Sequence, residues 1–348
     1  MKAKDIAKKL GISPAAVSLA LNGKPGVSEK TRKLVVAEAY GNGNPKMRYL
    51  AEAQSNISIR FVIFVDDGAT AAKETSFHAS ILQGIEKSAK NYNYNVLVSY
   101  FHTSSDWSSQ IDQLSRDVSG IILLATDLNE DHIKRAINEG ILALKIPLVI
   151  VDNATDNTNL DSVYGNNYKG AKSAVTHLLE TGHRDVGYIR SELRISNFHE
   201  RERGFKRARQ EFGIPKEDAS NIINVPISSD GAYAYMSKWL DTGNKPVSAY
   251  FVENDIIAAA CIKALREHGY NVPDDVSIVG FDDIPLSSLI DPPLTTVSVM
   301  IETIGVQALN ILHQRIKEGG FALCDERIGS LRVSVQPHLV CRESVKKI

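Results

Sequence analysis

The sequence predicts an all-α headpiece followed by an α/β body of two doubly wound, parallel-sheet subdomains. Three observations predict it. The first fifty residues carry ten lysines and arginines against three acidic residues, a net of +7, whereas the whole 348-residue chain is −1. Those same residues hold three short amphipathic stretches separated by glycine-containing turns. Beyond residue 57, short β-rich apolar runs alternate with longer helical ones, the pattern of a parallel sheet covered by helices. With 43% hydrophobic residues, the chain can bury a full core.

In the headpiece, "DIAKKL" (5–10) places Ile6, Ala7 and Leu10 on one helical face, and Gly11 suits a tight turn. Ser13 caps a second helix, with Pro14 at its first position, where a missing N–H is no loss. Val17, Ala20 and Leu21 form its apolar stripe, and Gly23 can take the left-handed conformation that ends it. The other side shows Ala15, Ser18, Leu19 and Asn22, all small or neutral and able to approach a partner closely. Ser28 caps a third helix, "EKTRKLVVAEA". Helix, turn, helix and support helix is the order of a helix-turn-helix unit. A basic arm on an acidic remainder is the footprint of a phosphate-binding module, the alternative being a solvated three-helix cap.

"GNGNP" (41–45) breaks the third helix and opens a polar stretch to about Asn56. Four strands follow, "IRFVIFV", "YNVLVSY", "GIILLA" and "PLVIVD", separated by helices over 80–91, near 106–117 and about 130–140. The alternation resumes with helices over 168–182, 200–213, near 230–242 and 255–269, interleaved with "DVGYIR", "NIINV", "VSAYFV" and "VSIVGF". These are too many units for one compact sheet, which is why two subdomains are expected.

Enzyme motifs are missing. The sequence has no glycine-rich phosphate loop, no nucleophile elbow and no paired histidines at zinc spacing. Asp66–Asp67 and Asp282–Asp283 follow strands, where open α/β sheets place ligand contacts. No base, nucleophile or metal set accompanies them, so they do not read as catalytic carboxylates. "HERER" (199–203) reads as a solvated helix start, and His132, His177 and His183 as surface or capping residues. Cys261, Cys324 and Cys341 are odd in number and widely spaced, which fits a reducing cytosol better than a disulfide framework. No run approaches a membrane span, and no apolar segment of a leader precedes Gly11. A cytoplasmic chain with no cofactor, no metal and no membrane partner is expected.

"KDIAKKLGISPAAVSLALNG" followed by "VSEKTR" resembles the DNA-binding headpiece of the lactose/galactose/purine repressor (LacI/GalR) family. "HLLETGHRDVGYI", "RERGFKRA" and "FVENDIIAAACIKALREHGYNVPDDVSIVGFDDIPLSSLIDPPLTTV" resemble its sugar-binding body. The resemblance covers nearly the whole chain. It implies a periplasmic-binding-protein-like body crossed three times by the chain, near Asp161–Val163, Pro292–Thr296 and after Cys324. The implied division is a headpiece over 1–43, a hinge over 44–57, a first subdomain over 58–162 and 294–325, and a second over 163–293 and 326–348. It also implies an allosteric transcription regulator, a repressor acting as a homodimer on double-stranded operator DNA.

Carried over by position, Ser18 and Asn22 meet phosphates, Ser28 and Thr31 help from the third helix, and Ser13 caps the reading helix. The base-reading positions are Pro14, Ala15 and Leu19, which offer apolar contact such as a thymine methyl but no bidentate hydrogen bond. Specificity then leans on DNA shape, symmetry and the hinge. The hinge departs from the family pattern, since Glu52 falls in the slot of a minor-groove wedge. Leu50 is the nearest apolar candidate, with Met47 or Tyr49 as partners and a flexible tether as the alternative. In the effector cleft the resemblance places Asp152, Arg201, Asn254 and Asp282, with Phe77 and His78 at aromatic positions and Ile227 where a stacking ring is usual. Such groups bind vicinal sugar hydroxyls by paired donor and acceptor contacts. A sugar-binding protein without a DNA role, which would need an export signal and no basic headpiece, and a sugar-processing enzyme are the rival readings.

Overall fold

The computed structural model describes residues 3–21, 26–40, 57–65, 75–102, 104–127, 131–132, 135, 146–153, 160–214, 221–318 and 329–348. The expected roles of Asn22, Gly23, Pro45, Met47, Tyr49, Leu50, Glu52, Asp66, Asp67 and Cys324 lie outside the described residues.

The headpiece has three helices, α1 (Ala3–Leu10), α2 (Pro14–Leu21) and α3 (Glu29–Tyr40). Ile6, Ala7, Val17, Ala20 and Val35 close its core, so the two predicted apolar stripes face each other and Val35 of α3. Gly11 has φ +65° and lets the chain turn between α1 and α2. The Ser13 hydroxyl accepts from the Ala16 amide at 3.1 Å, and the Ser28 hydroxyl accepts from the Thr31 amide at 3.2 Å, the two predicted caps. Arg32 ties α3 to the end of α2 by donating to the carbonyls of Leu19 and Ala20.

In the body, one sheet has the order β11-β5-β4-β3-β1-β2 and another has β7-β6-β8-β9. The first uses β1 (Ile57–Val65), β2 (Tyr94–His102), β3 (Ile121–Leu124), β4 (Leu148–Val151), β5 (Asp161–Gly165) and β11 (Arg332–Val335). The second uses β6 (Val186–Ser191), β7 (Ile222–Val225), β8 (Ala249–Val252) and β9 (Ser277–Val279). Strand order reverses between β1 and β3 and again between β6 and β8, the switch points at which doubly wound sheets open a crevice. Helices α4 (Thr75–Tyr92), α5 (Trp107–Leu114), α6 (Asn167–Glu180), α7 (Ser196–Glu211), α8 (Ser229–Asp241), α9 (Asp255–Glu267) and the single turn α10 (Leu286–Leu289) connect them. The long α11 (Ile301–Lys317) follows β10 (Thr296–Ser298), which pairs antiparallel with β12 (His338–Val340).

Two expectations are corrected here. Residues 332–335 pair in parallel with 162–165, so the last crossing follows Val335 and the boundary at 325/326 falls too early. The first and second boundaries shift likewise, because β5 continues to Gly165 and β10 is still bridged to the second sheet at Ser298. His183 is not a surface residue: it is 2% exposed, wedged between the Ser248 hydroxyl (3.1 Å) and the Lys346 carbonyl (3.0 Å). It is a structural pin joining β6's approach to the C-terminal strap.

Candidate functional site

The carboxyl ends of β3, β4, β8 and β9 face a cleft of about 690 Å³, its open mouth included. All six residues expected there line it: Phe77, His78, Asp152, Arg201, Asn254 and Asp282. Ile227 lines it too, so an aliphatic side chain stands at that wall.

Arg201 is the centre. It is 5% exposed, on the inner face of α7, which corrects the reading of "HERER" as solvated, because helical periodicity turns only His199 and Arg203 outward. Its Nε donates to Asn167 Oδ1 at 2.9 Å, Nη2 to Asp282 Oδ1 at 2.8 Å, and Nη1 to the Glu253 carbonyl. Its guanidinium lies 3.8 Å from the Phe281 ring centre and 5.3 Å from that of Phe198. Stacking and three acceptors fix a planar fork that a lysine could not reproduce. Behind it, Glu253 is fully buried and receives Arg194 at 2.7 Å, the Ser191 amide at 2.7 Å and the Tyr188 hydroxyl. That buried network holds the carbonyl to which Arg201 donates.

Asp152 closes the opposite wall. The Thr126 hydroxyl donates to its Oδ2 at 2.7 Å, and Asn197 Nδ2 reaches its backbone carbonyl at 3.0 Å. Burial pushes its carboxyl up to about 7, against the pull of the Thr126 hydrogen bond and the Arg201 charge. Burial also raises Asp282, with Arg201 opposing, and lowers the His78 imidazole. Asp152, Asp282 and Asp283 all have left-handed backbones, φ +60°, +105° and +53°. Strained residues held at strand ends are a mark of sites built for ligands.

Asn254 caps α9, its Oδ1 accepting from the Ile257 amide at 2.8 Å, and its amide nitrogen is left to donate. Asp255 also lines the cleft, and its carboxylate holds the Ile284 amide (3.0 Å) and the Thr296 hydroxyl (2.5 Å), anchoring the turn that carries Asp282. Sequence reasoning missed Thr126, Asn197 and Phe198. Asn197 and Phe198 precede Arg201 by four and three residues, so helical spacing from Arg201 would have found them. Thr126 follows "GIILLA", a strand end at a switch point. Donors, acceptors and rings converge, but no nucleophile–base pair does, and the described residues hold no group of three metal-ligating side chains.

The headpiece residues stand apart in the chain. Pro14, Ala15 and Ser18 are exposed on one side of α2, Leu19 is half-buried against Gly26, and Ser28 and Thr31 share a hydrogen bond of 2.7 Å at the start of α3.

Known proteins match both parts. Residues 2–39 match the family model described as "Bacterial regulatory proteins, lacI family", and residues 175–345 match "Periplasmic binding protein-like domain". The chain is 28% identical over 349 residues to the "HTH-type transcriptional repressor PurR" of Histophilus somni (strain 129Pt), covering 99% of each. Its fold is similar to a "transcriptional regulator CelR-cellobiose complex" (TM-score 0.69, 23% identity, 99% of each chain). It is also similar to a LacI family regulator of Enterococcus faecium with bound ribose (TM-score 0.68, 24% identity, 83% of this chain and 99% of that one). With a headpiece that matches the lacI-family model, a body that matches the periplasmic-binding-protein-like model and repressor relatives along its whole length, this chain belongs to the LacI family of bacterial regulatory proteins and is a DNA-binding transcriptional regulator, not an enzyme.

Proposed function

We propose that the chain is a cytoplasmic repressor that binds a two-fold operator as a homodimer and loses or gains affinity when a polyhydroxy ligand, a sugar or sugar derivative, enters the cleft. The observation that carries this reading is the convergence of Arg201, Asp282 and Asn254 from one subdomain with Asp152, Phe77 and His78 from the other. Ligand bridging the two halves favours one closure angle, and residues 44–57 pass that angle to the headpieces. Similar structures carry ribose and cellobiose in their names, which supports a carbohydrate. Coupling is reciprocal, so operator and ligand shift each other's affinity by the same factor.

On the DNA, Ser18, Asn22, Ser28 and Thr31 meet phosphates while Pro14, Ala15 and Leu19 touch base edges; Ser13 keeps α2 capped, and Leu50 is the proposed wedge. A dimer also covers the edge strand β2, where Leu97, Val98 and Tyr100 are 41%, 45% and 60% exposed. The test is duplex binding at two salt concentrations by the full chain and by a chain lacking residues 1–56. Strong, salt-steep binding by the first alone is expected, because counterion release dominates such contacts. Equal binding by both refutes it.

A further inference from the structure

The wall that the second sheet gives the cleft changes character from one edge to the other. Its strands lie in the order β7-β6-β8-β9, and each is followed by one isoleucine that lines the cleft: Ile227, Ile195, Ile256 and Ile284 in turn. Polar side chains accompany them unevenly. Asp282 follows β9 and Asn254 follows β8. Arg201, although carried by α7, reaches to the same side by donating to Asp282 at 2.8 Å and to the Glu253 carbonyl. After β6, Asn197 turns its amide to the Asp152 carbonyl at 3.0 Å. After β7, the described lining residue is Ile227. Hydrogen-bonding groups therefore gather towards β8 and β9, and the wall turns aliphatic towards the β7 edge.

Ile227 is firmly placed. Pro226 precedes it, the Ser228 hydroxyl caps α8 by accepting from the Gly231 amide at 3.2 Å, and a Cβ at Gly231 would come within 2.7 Å of the Pro226 Cβ. Ile195 and Ile284 are buried, whereas Ile227 and Ile256 are half-buried and present surface. A hydroxyl pressed onto such a surface leaves water without gaining a partner, while a methyl group gains by burial. β8 and β7 stand two strand spacings apart, roughly 10 Å, the reach of one pyranose with a hydrogen bond at one end and a methyl contact at the other.

We propose that the ligand is a 6-deoxyhexose, whose ring hydroxyls bind Arg201, Asn254 and Asp282 while its terminal methyl seats against Ile227. This rests on the cleft reading above and adds to it which end of the ligand is apolar. A hexose that keeps its 6-hydroxyl binds more weakly, because that hydroxyl is desolvated against an aliphatic side chain.

The test is calorimetric titration of the full chain with L-rhamnose, L-fucose, D-fucose and D-quinovose, each against the hexose of the same configuration that keeps its 6-hydroxyl. One deoxy sugar binding about ten- to a hundredfold tighter than its hexose is expected, the discrimination that an apolar pocket exerts against an added hydroxyl. In Ile227→Asn, which offers that hydroxyl a partner, and in the smaller Ile227→Ser, the ratio between the two collapses; thermal melting checks that both variants fold. A hexose that binds at least as tightly as its deoxy form in every pair overturns the proposal and leaves the cleft reading intact. An undiminished preference in both variants overturns the role given to Ile227. Binding by none of these sugars overturns the proposal, and the operator titration then decides the regulator reading on its own.

Discussion

Arg201 and Asp282 stand 81 residues apart in sequence, yet Arg201 Nη2 donates to Asp282 Oδ1 at 2.8 Å. The bond joins the inner face of α7 to the strained turn after β9, and side-chain exposures of 6% and 16% keep it mostly out of water. A buried pair of this kind is valuable less for net stability than for the cost of breaking it, because the survivor is left charged and alone.

Arg201→Ala is therefore expected to lose ligand binding and to destabilise the body by about 3–5 kcal/mol, leaving Asp282 and the Glu253 carbonyl without a donor. Asp282→Asn is the cleaner variant, since an amide oxygen still accepts from Nη2. It should cost about 1 kcal/mol of stability but about ten- to a hundredfold in ligand affinity. Urea denaturation and calorimetry on the two variants check both effects. Unchanged affinity in Asp282→Asn places the ligand elsewhere.

The alternation of strands and helices was legible because each buried strand is a continuous apolar run, as "IILL" and "AYFV" show in β3 and β8. Among the cleft residues, Asp152, Asn254 and Asp282 follow apolar strands, but Arg201, Phe77 and His78 lie on helices and were legible only through the family resemblance. What escaped was set by distant partners. β11 is the four residues "RVSV", exposed at its first position, and it becomes a strand only by pairing with β5 across a long stretch of chain. His183 looks like a capping residue until its partner is known, a carbonyl 163 residues away. Short edge strands and buried polar pins carry too little local pattern to announce themselves.

Gly204 lies three residues after Arg201 on α7, where a Cβ would come within 2.3 Å of the Tyr168 carbonyl oxygen and 2.9 Å of the Ala171 Cβ. Backbone cannot yield as a flexible side-chain tip can. Gly204→Ala should push α6 and α7 apart, destabilising the body by about 1–3 kcal/mol and weakening ligand binding through the displaced Arg201. Chemical denaturation and ligand titration on this variant test the link; full stability would mean the helices separate freely.

In the headpiece, Ser18→Ala should weaken binding to every duplex alike, since phosphate contacts carry no sequence information. Ala15→Gln should instead change which sequence is preferred, because glutamine offers adenine a bidentate partner worth about 1–3 kcal/mol of discrimination. Selection from a randomised duplex pool separates the two. Leu50→Ala should reduce DNA bending while Glu52→Ala leaves it unchanged, a desolvated carboxylate beside phosphates being a poor wedge. An unaltered bend angle in Leu50→Ala favours a flexible tether.

The last prediction concerns pH. Asp152 is raised from 3.8 to about 7 in the folded chain, chiefly by burial. Between those values the native state holds a proton that the unfolded chain has released. Stability therefore falls as pH rises through this window, by roughly 4 kcal/mol at most for a shift of this size. Glu253, Asp255 and Asp282 are raised in the same direction, so the wild-type protein carries their slope as well. Asp152→Asn removes one contribution and leaves theirs. Its thermal midpoint should match the wild type near pH 4 and exceed it near pH 8, with the gap opening mainly between pH 5 and 7. Midpoints that run parallel over the whole range would mean that Asp152 is ionised well below neutral pH, so that burial does not govern its titration.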